Sequence, residues 1–256
     1  MALPVGVEIG VLLRPLPSRG KARVGCLERK TLVGDGGSEL YEPAFHAVWQ
    51  SVVIEPIACV VKAFKRGRFQ KGDRVAIIGL GFIGQVMVRL AEHLGAEVVL
   101  ASDFVPWRLE RAMELGATAV LNPKDDGQEF PDFVRSHTDG LGADFVLVGP
   151  SAPKAIQEGI SCAAPGGRVL MFMAPQPGVK MEVEPNELFF KEIDLVSSYS
   201  CGPDDTRETL SLLRQGVFPV DKLVSHEFPL EKALEACRLT AAARESLKVL
   251  VSVAAD

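Results

Sequence analysis

The chain has 256 residues, 47% of them hydrophobic, and a formal charge of −5 from 28 basic and 33 acidic side chains. That length holds one large domain or two smaller ones with ample core, and the acidic balance without any Lys/Arg cluster excludes a nucleic-acid partner. No run of eighteen apolar residues occurs, and MALPVGVEIG lacks a basic segment followed by a long apolar one, so no membrane partner or signal peptide is expected and a cytoplasmic location follows.

Met1 to about Pro56 is rich in Gly, Pro and short β-prone runs such as VGVEIGVLL, which suggests a small irregular β module. Arg74 to Ile78 (RVAII) then reads as a central parallel strand covered on both faces. It runs directly into Gly79-Leu80-Gly81-Phe82-Ile83-Gly84. Gly79 permits the tight turn, Gly81 lets backbone approach a pyrophosphate, and Gly84 allows close packing of helix on sheet. The helix that follows, Gln85 to Leu94, points its N-terminal N–H groups and dipole at that phosphate, so the loop needs no lysine. Glu97 to Ser102 is the second strand, with Asp103 at its carboxyl end. A carboxylate there accepts hydrogen bonds from both ribose hydroxyls and repels a 2′-phosphate, so the expected cofactor is NAD(H) rather than NADP(H).

The alternation continues with helix Trp107–Leu115, strand Ala119–Leu121, helix near Phe130–Thr138, strand Phe145–Val148, helix Lys154–Ser161 and strand Arg168–Phe172. A sixth strand is expected at Ile193–Ser198. Strands alternating with helices mean an α/β fold, a doubly wound parallel sheet of the Rossmann kind. Such sheets bind ligands at the carboxyl ends of their strands. Gly149, Ala174 and Ser198 fall there and join Gly79, Gly81, Phe82, Ile83, Gly84 and Asp103 as candidate cofactor contacts. Beyond Cys201 come a helix (Asp205–Gln215), a strand (Leu223–Phe228), a helix (Leu230–Thr240) and a final strand (Lys248–Val253). These late strands have no place in a six-stranded sheet and are expected to join the N-terminal module. The division is therefore 1–56 plus 203–256 for the module, and 57–202 for the nucleotide domain. Five widely spaced cysteines without a CxxC pair argue against a disulfide framework or a four-cysteine zinc lobe.

Residues Ile54 to Val253 closely resemble the coenzyme-binding portion of medium-chain zinc dehydrogenases, particularly the sorbitol and threonine dehydrogenase branch. The segments that carry the resemblance are Glu55-Pro56-Ile57-Ala58-Cys59, Lys71-Gly72-Asp73-Arg74-Val75, the glycine turn, Ser102-Asp103, Arg108-Leu109-Glu110, Glu114-Leu115-Gly116-Ala117, Pro165-Gly166-Gly167-Arg168-Val169 and Leu247-Lys248-Val249. The resemblance implies NAD(P), a nucleotide domain beside a GroES-like catalytic domain (here a reduced one), oxidation of alcohols or polyols, and a homo-oligomer, dimer or tetramer. It also makes Arg108 an adenosine-side contact.

The upstream part departs from that pattern. Pro4 to Val11 resembles a shortened Gly-His-Glu zinc segment with Val7 at the histidine ligand, and the cysteine-bearing segment expected before it would precede Met1. Zinc serves this chemistry by stabilising an alkoxide as hydride leaves. Valine has no lone pair, so no metal ligand set is expected and the reaction is read as zinc-independent. A rebuilt site from Cys26, His46 and Glu55 is chemically possible without spacing to support it.

Proton transfer then falls to side chains. An unperturbed histidine side chain has a pKa near neutrality, and His46 lies nine residues before Glu55, which matches the carboxylate near the metal in the resembled enzymes. His46 also reads as a loop histidine, and Glu55 as a first-turn acid of the helix after Pro56. Tyr41 and Tyr199 read as packing residues, Cys59 and Cys162 as small core residues. The functional expectation is an NAD(H)-dependent oxidoreductase acting on a secondary alcohol, polyol or ketone. The alternatives are an NAD-binding homologue without turnover, serving as sensor or subunit, and a fragment of a longer zinc alcohol dehydrogenase.

Overall fold

A computed structural model describes residues 9–13 and 48–253 of the chain. The central apolar runs separated by glycine and polar turns become strands buried on both faces, whereas the edge strand Asp194–Ser197 is largely exposed. In β2 (Arg74–Ile78), Val75 and Ile77 face one core cluster while Ala76 and Ile78 face the other. The first cluster holds α1 (Ile54–Arg66) and α2 (Phe82–His93) against that face.

The remaining elements follow in order: β3 (Val98–Ser102), α3 (Pro106–Glu114), β4 (Ala119–Leu121), α4 (Phe130–Ser136), β5 (Ala143–Val148), α5 (Pro153–Cys162), β6 (Ala163–Met171), α6 (Pro185–Lys191) and β7 (Asp194–Ser197). All six sheet strands pair in parallel in the order β4-β3-β2-β5-β6-β7. That is the doubly wound order, and its reversal falls between β2 and β5. The expected sixth strand is present, one residue shorter at each end.

After β7 come α7 (Pro203–Arg214), α8 (Val220–Leu223), β8 (Val224–Pro229), α9 (Ala233–Ala242) and β9 (Lys248–Val253). β9 pairs in parallel with both β8 and β1 (Ile9–Leu13), forming a second, three-stranded sheet. The two chain ends therefore meet. α7 and α8 pack elsewhere: Leu212, Val220 and Leu223 lie in the same cluster as Ile57, Val61 and Met87 of α1 and α2. Lys65 of α1 also pairs with Asp205 of α7 at 2.9 Å. Beyond residue 202, the apolar face of α7 therefore packs on α1.

Among the described residues, no helix is long and apolar enough to cross a membrane.

Candidate functional site

Two glycines mark the reversal in strand order. Gly79 ends β2 with φ +88° and donates its N–H to Ser102 of β3 at 2.8 Å. Gly149 ends β5 and donates to Ile78 at 3.0 Å. A Cβ on Gly84 would meet the Gly79 carbonyl oxygen at 2.0 Å, so the first turn of α2 touches the strand end and only glycine fits. A Cβ on Gly81 would meet nothing within 4 Å, so its Cα faces open space. Gly81 is the N-cap of α2, and it has no side chain to satisfy the first N–H groups of the helix. A positive, donor-rich helix end therefore borders a cleft of about 360 Å³.

The cleft is lined by Gly79, Gly81, Phe82, Ile83, Gly84, Asp103, Arg108 and Gly149, with Pro150 and Met173 beyond them. Thr240, Ala243, Ser246, Leu247 and Lys248, from α9, β9 and their connection, close the other side. Asp103 is nearly buried; its Oδ2 accepts from the Leu80 N–H at 2.7 Å and its Oδ1 from the Val105 N–H at 2.9 Å. Each oxygen keeps a further acceptor direction.

Arg108, expected as an adenosine-side contact, lines the cleft and also reaches the returning chain. Its Nη2 donates to the carbonyls of Ala243 at 2.8 Å and Ser246 at 2.7 Å, while its Nη1 stands 3.8 Å from Asp103 Oδ2. Burial lowers its pKa from the ordinary value, and the Asp103 carboxylate opposes that. The guanidinium thus ties the α9–β9 connection to the nucleotide sheet. Gln85 reinforces the joint, donating to the carbonyls of Leu80 at 3.1 Å and Arg108 at 2.8 Å.

Lys248 was missed from sequence. It is buried in the cleft wall with its ammonium 5.2 Å from the Phe82 ring centroid. Local reading of the glycine loop finds no cation because this one arrives from β9, 164 residues after Gly84 in the chain. Its signal was the segment Leu247-Lys248-Val249.

Ala174 and Ser198 do not line this cleft. Ala174 is exposed beyond β6, and Ser198 follows β7, three strand spacings or roughly 14 Å from β2. His46 lies outside the described residues, as do Tyr41, Cys26 and Val7. Tyr199, expected to pack, is 90% exposed.

Glu55 sits in the first turn of α1. Cys59, expected in the core, instead donates its thiol to Glu55 Oε1 at 3.2 Å, and Cys201 Sγ lies 4.0 Å from the Glu55 carbonyl oxygen. Burial first, then the Glu55 carboxylate, pushes the Cys59 thiol well above the ordinary range. Cys162 is fully buried as expected. A larger open depression of about 710 Å³ lies along α1 and β7, but Lys65 there is committed to Asp205 and Glu208, and the glycine turn contributes nothing to it.

A family model described as zinc-binding dehydrogenase matches residues 83–215. An L-threonine 3-dehydrogenase of Caldanaerobacter subterraneus is 34% identical over 161 residues, covering 62% of this chain and 46% of that protein. A sorbitol dehydrogenase of Halalkalibacterium halodurans is 31% identical over 209 residues, covering 79% and 58%. The chain thus spans about half the length of these relatives. Among solved structures, an alcohol dehydrogenase of Thermotoga maritima superposes with a TM-score of 0.72 at 28% identity, covering 78% of this chain and 56% of that one. A protein assigned as a zinc-binding dehydrogenase from Sinorhizobium meliloti, solved bound to NADP, gives 0.72 at 27% identity, covering 78% and 58%.

Proposed function

The chain belongs to the zinc-binding dehydrogenase family, and on that premise we propose that it moves a hydride between NAD(H) and a secondary alcohol, polyol or ketone. The observation that carries this reading is the cleft at the strand reversal, where an uncapped helix end, an acid and a lysine converge on the open space above Gly81. A dinucleotide fits that donor set. The N–H groups at the start of α2 and the Lys248 ammonium hold the pyrophosphate. Asp103 receives the adenosine ribose hydroxyls and repels a 2′-phosphate. Thr240, Ala243 and Ser246 cover the adenosine side and exclude water there.

When bound, the nicotinamide supplies the hydride acceptor or donor. The chain's own task would be to hold that ring, with Ala174 and Ser198 beyond the carboxyl ends of β6 and β7 as the residues to contact it, and to move the hydroxyl proton. Glu55 and His46 are assigned that proton. The reading does without the Cys–His zinc pair of the resembled enzymes, because Val7 offers no lone pair. A cytoplasmic homo-oligomer belongs to the same proposal: β7 is an edge strand with Leu195 exposed, and Phe189 and Phe190 stand about three-quarters exposed beside it.

Calorimetry with NAD+, NADH, NADP+ and NADPH, followed by an alcohol and polyol panel read at the NADH absorbance, tests this. Binding of NAD(H) with turnover is the expected result. No heat with any of the four nucleotides sinks the cofactor assignment; binding without turnover on any substrate sinks the enzymatic one.

A further inference from the structure

Glu55, Cys59 and Cys201 place a carboxylate oxygen and two sulfurs within 4.8 Å of one another. Glu55 and Cys59 stand one helical turn apart on the same face of α1, which makes them neighbours by helix geometry alone. Cys201 reaches them from the segment between β7 and α7, 146 residues along the chain from Glu55. That segment is held at both sides of the cysteine. Lys62 of α1 donates to the Tyr199 carbonyl at 2.9 Å, and Asp205 accepts from the Gly202 N–H at 2.8 Å while pairing with Lys65 at 2.9 Å. Ser200 between them takes φ +58°, a left-handed conformation that disfavours any residue with a Cβ and that the two anchors impose. These three contacts thus aim one thiol at two other donors.

We propose that Glu55, Cys59 and Cys201 bind one zinc-class divalent ion. Two sulfurs with one carboxylate suit a borderline-soft ion and disfavour calcium or magnesium, which take all-oxygen shells. Tetrahedral zinc with bonds of about 2.0–2.3 Å needs donor separations of roughly 3.3–3.8 Å. The three atoms therefore need to close by only about an ångström, within side-chain rotation. Binding releases the two thiol protons, so the change in charge is that of one metal dication gained and two protons lost. Three protein donors leave a fourth position open. The set differs from Cys26, His46 and Glu55, uses only described residues, and stands whether or not the cleft above Gly81 takes a dinucleotide.

The test uses the full chain, reduced and stripped with chelator, then titrated with Co2+. One Co2+ per chain should bind with thiolate-to-metal charge-transfer absorption and four-coordinate d–d bands, and Zn2+ should bleach both. Zn2+ should also shield two of the five cysteines from a thiol reagent. Cys59→Ser and Cys201→Ser should each remove the charge-transfer band or halve it, with at least tenfold weaker Zn2+ uptake. Glu55→Gln, at an exposed carboxylate that leaves the core untouched, should weaken uptake with the band retained, and Cys237→Ser should change nothing. NAD binding, measured alongside, should persist in all four variants, which separates this proposal from the cofactor reading. Absence of the cobalt band, a band indifferent to both Cys59→Ser and Cys201→Ser, or formation of a Cys59–Cys201 disulfide without any metal uptake would overturn it.

Discussion

Asp103 Oδ2 accepts the backbone N–H of Leu80 at 2.7 Å, so the acid at the end of β3 and the glycine turn at the end of β2 form one unit. A residue assigned to reading the ribose also holds the loop assigned to the phosphates. Asp103→Gly should therefore do two things. Affinity for NAD should fall about tenfold with discrimination against NADP relaxed, and the fold should lose roughly 1–3 kcal/mol as the Leu80 and Val105 N–H groups lose their acceptor. Nucleotide titrations and urea melts on the same variant measure both; unchanged NAD affinity would refute the assignment.

Gly81 faces the open cleft, whereas Gly84 packs against the strand end. Gly84→Ala drives a Cβ into the Gly79 carbonyl at 2.0 Å, and backbone cannot step aside cheaply. It should cost about 1–3 kcal/mol or more. Gly81→Ala meets no protein atom within 4 Å at an ordinary negative φ of −64°, so the melting temperature should hold while NAD binding weakens tenfold or more. Thermal melts paired with calorimetry distinguish the two; equal stability loss in both variants would contradict the account.

Lys248 supplies positive charge beside an otherwise neutral glycine turn. Lys248→Met preserves the stem that packs on Phe82 and removes the ammonium. NAD affinity should drop by about tenfold or more, in line with a lost charge-assisted contact worth roughly 1.5–3 kcal/mol, and its salt dependence should flatten. Titrations at two ionic strengths check this.

Arg108→Met should loosen the second sheet rather than mimic the Asp103 variant. Two carbonyls, on Ala243 and Ser246, lose their donor in a buried setting. The expected loss is about 2–4 kcal/mol, with hydrogen exchange rising first in α9 and β9.

Asp144 binds the Arg74 side chain through both oxygens, at 2.6 and 2.7 Å, and also accepts the Arg74 backbone N–H at 2.9 Å. Burial alone would raise its pKa, but Arg74 overrides that and holds it below the ordinary carboxylate value. A depressed folded-state pKa contributes stability above the unfolded value of about 3.9 and loses it as pH falls through the folded one. Stability should thus fall with acid below about pH 4. Asp144→Asn should be less stable at pH 7 and show a shallower acid limb in urea melts from pH 7 to pH 3.

How much of this was legible in sequence depended on range along the chain. Strand, glycine turn, helix, strand and acid lie between Arg74 and Asp103, and their spacing alone predicts the fold and the cleft floor. The tie through Arg108 was not legible: from sequence it reads as an adenosine-side contact, and nothing local says that the Ala243 and Ser246 carbonyls accept from it. Cys59 looked like core because its neighbours Ala58 and Val60 are apolar, yet its thiol turns to the face shared with Glu55.

By itself the sequence determined the doubly wound sheet, since alternating apolar strands and amphipathic helices have few other ways to bury both faces, and it determined the helix end that faces the cleft. Only tertiary structure decided which distant groups complete it. Lys248 enters from β9, Arg108 clamps the returning connection, and Cys201 meets α1, because strand pairing and helix packing bring together residues more than a hundred positions apart, and no local pattern encodes that distance.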